Sequence, residues 1–266
     1  IIVGLSVMEK HSFLTACVNP EGMAYTKLSN PEIRLQQYKD ALDWYLENTT
    51  MKILLVENSG YDFSDCYQKQ IREGRLEFIC YDGNDYDRNR GKGYGEAAIM
   101  EYGFSHSNII NNAVATDFIV KVTGRLLCSN IEIMCEHCHK LDTVYANIAK
   151  DDWGGNISNS QFVIAPLSFW KDYFFPKREK IDDSTRYHFE HLLYDSISNW
   201  KKKGKHHREF WVLPEINGVS GTTGQKIKSS SHRDIKGIIM YFLHRLGYRG
   251  YLNPFYKGEV NYEIEK

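Results

Sequence analysis

The chain has 266 residues, 42% hydrophobic and 25% charged, with a formal net charge of −1. That balance fits a soluble globular protein of one large domain, or one domain plus an appendage, and excludes collagenous and disordered chains. With charges nearly equal, no overall field draws in nucleic acid, and no apolar run reaches the roughly 18 residues of a membrane span.

Six cysteines are scattered through the chain and do not read as a disulfide framework. Cys135 and Cys138 form a C-x-x-C, but no second ligand pair stands at the spacing a structural zinc site needs. No signal peptide is visible, and the expected location is the cytoplasm. Aromatic residues reach 14%, with 18 Tyr, a supply suited to base or sugar stacking as well as to core.

In chain order, residues 1–7 read as a first buried strand, and residues 8–30, which have no clear period, as a loop. Asn30-Pro31-Glu32 starts a helix over 31–48, with a cap, Pro in the first turn and an early acid. Strand 52–57 ends at Glu57-Asn58-Ser59. Helix 63–73, strand 76–81 and a helix opened by Gly91-Lys92-Gly93-Tyr94-Gly95 follow, then strand 117–122. This strand–helix alternation predicts an α/β fold: a doubly wound, mostly parallel central sheet covered on both faces. Neither a dinucleotide G-x-G-x-x-G after the first strand nor a P-loop is present.

In the second half, a helix at 131–140 and strands at 143–148 and 161–165 precede a helix capped by Asp182-Asp183-Ser184-Thr185 and running to about 200. The basic run 201–208 reads as a loop, solvated or resting on anionic lipid. A short strand over 210–214, a glycine-rich turn over 218–224 with the character of a lid, and a last helix over 234–246 complete the chain.

The stretch Asp117-Phe118-Ile119-Val120-Lys121-Val122-Thr123-Gly124-Arg125 is unusual. A buried strand does not normally end in Lys and Arg, because either charge needs an anionic partner. At the carboxyl edge of an open α/β sheet, where ligands sit, Lys121, Thr123 and Arg125 suit a phosphate-bearing ligand. The plain alternative is a strand end paired with the chain's own acids.

Taken together, Glu57-Asn58-Ser59-Gly60, Gly91-Lys92-Gly93-Tyr94-Gly95-Glu96 and Asp117–Arg125 resemble the GT-A glycosyltransferases, and within them the bacterial capsule and O-antigen sugar transferases. The resemblance covers residues 1–166 well and the rest loosely. It implies a single GT-A-like (Rossmann-like) domain over 1–266, with a nucleotide-sugar-binding half (1–128) and a mixed, helical acceptor-binding half (129–266).

The implied reaction is sugar transfer from a nucleotide-diphosphate donor, a UDP-sugar, to a glycan or polyprenyl-linked acceptor, with peripheral contact at the inner membrane face. The donor-binding residues it implies are Leu5, Ser6, Val7, Glu57, Asn58, Lys92, Lys121, Thr123, Gly124 and Arg125. Inverting members place an acid base near the helix corresponding to the one before residue 200, which points to Glu190 first and Asp152 second. The family's Asp-x-Asp, which holds Mn²⁺ or Mg²⁺, is replaced here by Lys-Val-Thr-Gly-Arg, whose two cations cannot ligate a metal but can neutralise the diphosphate themselves; the acids left to hold a divalent ion, in a loop where solvation is the plain alternative, are Asp82, Asp85 and Asp87. The alternatives are a sugar nucleotidyltransferase, whose glycine-rich first loop is missing after Val7, and a non-catalytic glycan- or nucleotide-binding module.

Overall fold

Short apolar runs flanked by helices assemble into one seven-stranded sheet. The structure, a computed structural model, describes residues 8–20, 22–23, 26–210, 213–220 and 224–228. In chain order the elements are β1 (Lys10–Ala16), α1 (Pro31–Asn48), β2 (Lys52–Glu57), a 3₁₀ turn leading into α2 (Gln68–Arg72), and β3 (Leu76–Cys80). Then come α3 (Gly91–His106), α4 (Asn108–Asn112), β4 (Phe118–Thr123), β5 (Leu127–Cys128), α5 (Ile131–His137), β6 (Thr143–Tyr145), β7 (Ile148–Lys150), β8 (Asn156–Ser158) and β9 (Phe162–Pro166). The last described elements are α6 (Leu167–Phe169), prolonged as a π-helix over Trp170–Phe174, then α7 (Phe189–Lys202), β10 (His206–Arg208), β11 (Ile216–Val219) and β12 (Lys226–Lys228).

The main sheet has the order β10-β6-β9-β4-β1-β2-β3, and within it β9 alone runs antiparallel to its neighbours. This is the mostly parallel α/β fold the sequence predicts. Successive residues along β1, β2 and β4 face opposite sides. Phe13, Leu54, Val56 and Ile119 meet α3 and α7, whereas Leu14, Ile53, Leu55, Val120 and Val122 meet α1 and α5. The second half of the chain contributes β6, β9 and β10 to the same sheet. β5, β11 and β12 form a small antiparallel sheet beside it.

Several boundaries differ from the sequence reading. The described first strand is Lys10–Ala16, inside the stretch read as a loop, while residues 1–7 lie outside the described residues. Its apolar period is masked by His11, Ser12 and Thr15, all three buried.

The cap pattern at Asp182 closes a 3₁₀ turn over Asp183–Thr185, with the Asp182 side chain accepting from Ser184 N. Arg186 follows in the left-handed region, and α7 begins later, with His188 as its N-cap. The basic run is not all loop. Its end pairs in parallel with β6 as an edge strand, where charged side chains can stay in solvent. The described part of 210–214 contains no strand; of the expected glycine-rich turn, Gly218 and Val219 lie in β11, which pairs with β12, and 221–223 lie outside the described residues. The helix expected over 234–246 lies outside the described residues. Among the described residues no helix is long and apolar enough to cross a membrane.

Candidate functional site

The parallel strands end at one edge, and register decides which side chains meet there. Thr15 of β1 is level with Thr123 of β4, and Ala16 is level with Glu57 of β2. Above this edge lies a cavity of about 120 Å³ lined by Thr15, Cys17, Asn58, Thr123 and Arg125, by Arg34 and Tyr38 of α1, and by Lys92, Gly95 and Glu96 of α3. That volume admits several waters or one small polar group.

One wall is cationic. Arg34 Nε donates to the Cys17 carbonyl (2.9 Å) and Nη1 to the Leu28 carbonyl (3.1 Å). Arg125 Nη1 donates to Gln37 Oε1 (3.2 Å) and to the Val219 carbonyl (3.1 Å), and its buried Nε has no partner. Both guanidinium carbons lie 5.8 Å from the Tyr38 ring centroid. The Tyr38 hydroxyl in turn accepts from Cys17 N–H (3.0 Å). Among the described residues, no carboxylate lies within ion-pair distance of Arg34, Arg125 or Lys92. The acceptors that Arg34 and Arg125 do have are neutral, so their charge is left uncompensated, and Arg125 Nε is left unclaimed as well, which is the electrostatic character of an anion site.

The opposite wall is a hydrogen-bonded chain. Lys121 shares a strand face with Ile119 and Thr123, is 0% exposed, and lies under α3 and α7. Its ammonium sits 2.6 Å from Glu96 Oε1, 3.3 Å from Thr123 Oγ1, and donates to the Ser160 carbonyl. Thr15 and Thr123 hydroxyls also donate to Glu96 Oε1 (3.2 and 3.3 Å). Ser160 Oγ donates to Glu190 Oε1 at 2.5 Å, so the chain runs from Glu96 through Lys121 and Ser160 to the first turn of α7.

The remaining predicted residues fall as follows. Glu57 is wholly buried. Its oxygens accept from Val18 N, Ser59 N and Tyr61 N (each 2.9 Å) and from the Ser59 hydroxyl, so it clamps the loops after β1 and β2. Asn58 lines the cavity, donates to Asn84 Oδ1 (3.1 Å), and keeps a buried Oδ1 without a partner. Gly124 packs on β1, where a Cβ would strike the Thr15 carbonyl oxygen, and this close approach accounts for the glycine. Leu5, Ser6 and Val7 lie outside the described residues. Asp152 is exposed in the β7–β8 turn; the neighbouring Asp151 is the acid that reaches α7, accepting from His191 Nε2 at 3.0 Å.

Three features escaped the sequence reading. Glu96 sits one helical turn beyond Lys92 and organises three side chains, Thr15, Lys121 and Thr123. Arg34 looks like an ordinary helix cation in sequence. Asp183 and His188 form a pair, with His188 Nδ1 at 2.9 Å from Asp183 Oδ1. That hydrogen bond to Asp183 raises the His188 pKa above its ordinary value. Gly91 has φ +79°, and a Cβ there would collide with the Asp183 carboxylate, so the Gly91-Lys92-Gly93 entry to α3 admits this acid.

Where the resemblance sets Asp-x-Asp this chain has Lys121, whose ammonium is paired with Glu96 and cannot ligate a divalent metal. Among the described residues no three His, Cys, Asp or Glu side chains are grouped to hold an ion. Cys135 and Cys138 lie in the apolar layer under α5, where burial pushes both thiols up, Cys135 to about 12.

No protein-family model matches the sequence, and no curated protein matches it. Solved structures with a similar course of chain include 4-diphosphocytidyl-2C-methyl-D-erythritol synthase, at 12% identity and TM-score 0.43, covering 89% of this chain and 98% of that one. A cytidylyltransferase from Leptospira borgpetersenii is 12% identical with TM-score 0.41, over 88% and 86% of the two chains. The glycosyltransferase GlyE of Streptococcus pneumoniae TIGR4 is 12% identical with TM-score 0.41, over 75% of this chain and 45% of its own. Likeness at this level carries nothing about the site.

Proposed function

We infer that the chain is a transferase working on a nucleotide-diphosphate donor, and specifically a glycosyltransferase that moves a sugar from a UDP-sugar to a hydroxyl of a glycan or polyprenyl-linked acceptor in bacterial surface polysaccharide synthesis. The observation that carries this reading is the uncompensated cationic wall of Arg34, Arg125 and Lys92 at the carboxyl edge of the sheet. A diphosphate held there gains charge-assisted hydrogen bonds and has its leaving-group charge stabilised without a metal. Asn58, with one amide oxygen unclaimed, suits a ribose or base donor group. Glu190, at the end of the Lys121–Ser160 chain, takes the proton from the acceptor hydroxyl as the new glycosidic bond forms and the nucleoside diphosphate leaves. In this reading residues 1–128 bind the donor and residues 129–266 the acceptor, with the basic run 201–208 offering contact to anionic lipid.

A second reading, nucleotidyl transfer to a sugar phosphate, is favoured by the position of β1. The loop that follows the first described strand is 17–30, not the segment after Val7, and its Cys17, Pro20, Met23 and Thr26 line the cavity. The absence of glycines after Val7 therefore no longer counts against this chemistry.

One assay separates the two. Incubation with a panel of nucleotide sugars and acceptors, with and without EDTA, should release nucleoside diphosphate at a rate the chelator leaves unchanged. Release of pyrophosphate from a nucleoside triphosphate and a sugar 1-phosphate would instead establish the second reading. Binding of nucleotide with neither release would identify a non-catalytic module. Loss of transfer in EDTA, restored by Mn²⁺, would overturn the assignment of the metal's part to the cations.

A further inference from the structure

Trp153 is 64% exposed, the most exposed large hydrophobic side chain among the described residues. An exposed Trp ring offers a large, flat apolar face at low conformational cost. It stands at the tip of the β7–β8 turn, and that turn is held in one shape. Asp151 Oδ1 accepts from Trp153 N (3.0 Å) and Gly155 N (2.6 Å), while Asp151 Oδ2 accepts from His191 Nε2 (3.0 Å). These bonds tie the turn that carries Trp153 to α7 at His191, the residue after Glu190.

The Arg186 guanidinium carbon lies 4.8 Å from the Trp153 ring centroid. Arg186 is one of two described non-glycine residues with positive φ (63°), a conformation that persists where the surroundings impose it. Among the described residues it has no ion pair. The arrangement combines an apolar ring for the C–H face of a sugar with a guanidinium fork whose donors are unclaimed.

We propose that Trp153 and Arg186 form an acceptor subsite for a sugar ring bearing an anionic substituent, a carboxylate or a phosphate. This rests on the transferase reading only for the word acceptor; the site itself follows from the tethered ring and its paired cation. The sugar stacks on Trp153, Arg186 grips the anionic group, and the Asp151–His191 tie holds both at the end of α7 that carries Glu190.

The test is calorimetric and fluorescence titration of the full chain with trigalacturonate, with maltotriose as the neutral counterpart and UDP as the probe of the sheet-edge cavity. Trigalacturonate should bind and quench tryptophan emission, and maltotriose should bind more weakly. Trp153→Ala should weaken trigalacturonate at least about tenfold and remove the quench, with UDP affinity unchanged. Trp153→Phe should keep most of the affinity, and Arg186→Gln should erase the preference for trigalacturonate over maltotriose. Both side chains are exposed, so an unchanged melting temperature verifies that each variant is folded. No binding of trigalacturonate by the parent, equal binding of maltotriose, or undiminished binding by Trp153→Ala overturns the subsite. Trigalacturonate bound at Trp153 by a protein that ignores every nucleotide would sustain the subsite and sink the transferase reading instead.

Discussion

Glu96 and Lys121 form an ion pair that should respond unequally to losing either member. Lys121 is 0% exposed, whereas the Glu96 side chain is 21% exposed at the cavity. Glu96→Ala leaves a buried ammonium with the Ser160 carbonyl and the Thr123 hydroxyl, both neutral, and an uncompensated buried charge costs about 3–5 kcal/mol. Lys121→Met fills a similar volume and leaves a carboxylate that reaches water and keeps the Thr15 and Thr123 hydroxyls, for a cost of about 1–2 kcal/mol. In the double variant no charge is stranded, and its stability should lie closer to the parent than that of Glu96→Ala. Urea denaturation of the four proteins, with slopes compared to verify a common transition, measures this directly. If Glu96→Ala proves no more damaging than Lys121→Met, the ammonium is not the buried charge this account requires, and the chain from Glu96 to Glu190 loses its centre.

Glu57→Ala should destabilise the fold by at least about 3 kcal/mol, since it strands the amides of Val18, Ser59 and Tyr61, while the fraction still folded binds UDP with nearly the parent affinity. A large loss of affinity without loss of stability would put Glu57 on the ligand. Arg125→Ala should weaken UDP binding at least about tenfold, the loss of one charge-assisted hydrogen bond of about 1.5–3 kcal/mol. Full affinity in that variant would mean that the bonds to Gln37 and Val219 are the whole task of Arg125. The hydrogen bond to Asp183 raises the His188 pKa, so the stability from this pair is complete below the ordinary value of 6.5 and is lost as pH climbs through the raised value. The stability difference between parent and His188→Gln should therefore shrink from pH 6.5 upward; a difference independent of pH would disconnect the pair from stability.

The sequence disclosed those parts of the fold that are driven by apolar runs and local caps. Asn30 and Pro31 start α1 as expected, with Asn30 Oδ1 accepting from Ile33 N at 3.0 Å, and strands β2, β3 and β4 follow mostly apolar stretches, broken inside β3 by Glu77 and inside β4 by Lys121. It misled where tertiary context overrides local pattern. β1 carries His11, Ser12 and Thr15 because its neighbours bury them, and these polar residues made 10–16 read as loop. At Asp182 a sound cap signal was spent on a single 3₁₀ turn, because the chain must pass through Arg186 before α7 can begin. The odd cations at the end of β4 marked the sheet edge correctly, yet their division of labour was hidden. Lys121 turns inward to Glu96, a partner 25 positions away, and Arg125 faces the cavity. Arg34 is invisible as a site residue because nothing in an amphipathic helix reveals which cation will meet a loop carbonyl.

The one strand of the main sheet that runs against its neighbours, β9, also bears on how the protein is made. β4 is flanked by β1 on one side and by β9 on the other, so its second edge, from Phe118 to Val122, stays unpaired until Phe162–Pro166 has been synthesised. At ribosomal speeds of about 5–20 residues per second, that interval is about 2–9 seconds. During it a nascent chain carries a bare, strongly apolar strand edge of the kind that templates aggregation. The residues between β4 and β9 are thus a vulnerable window for this chain: messages cut short there, or ribosomes stalled there, yield products with no means of covering that edge, and a holdase chaperone acting over this interval would matter more than one acting on the finished protein.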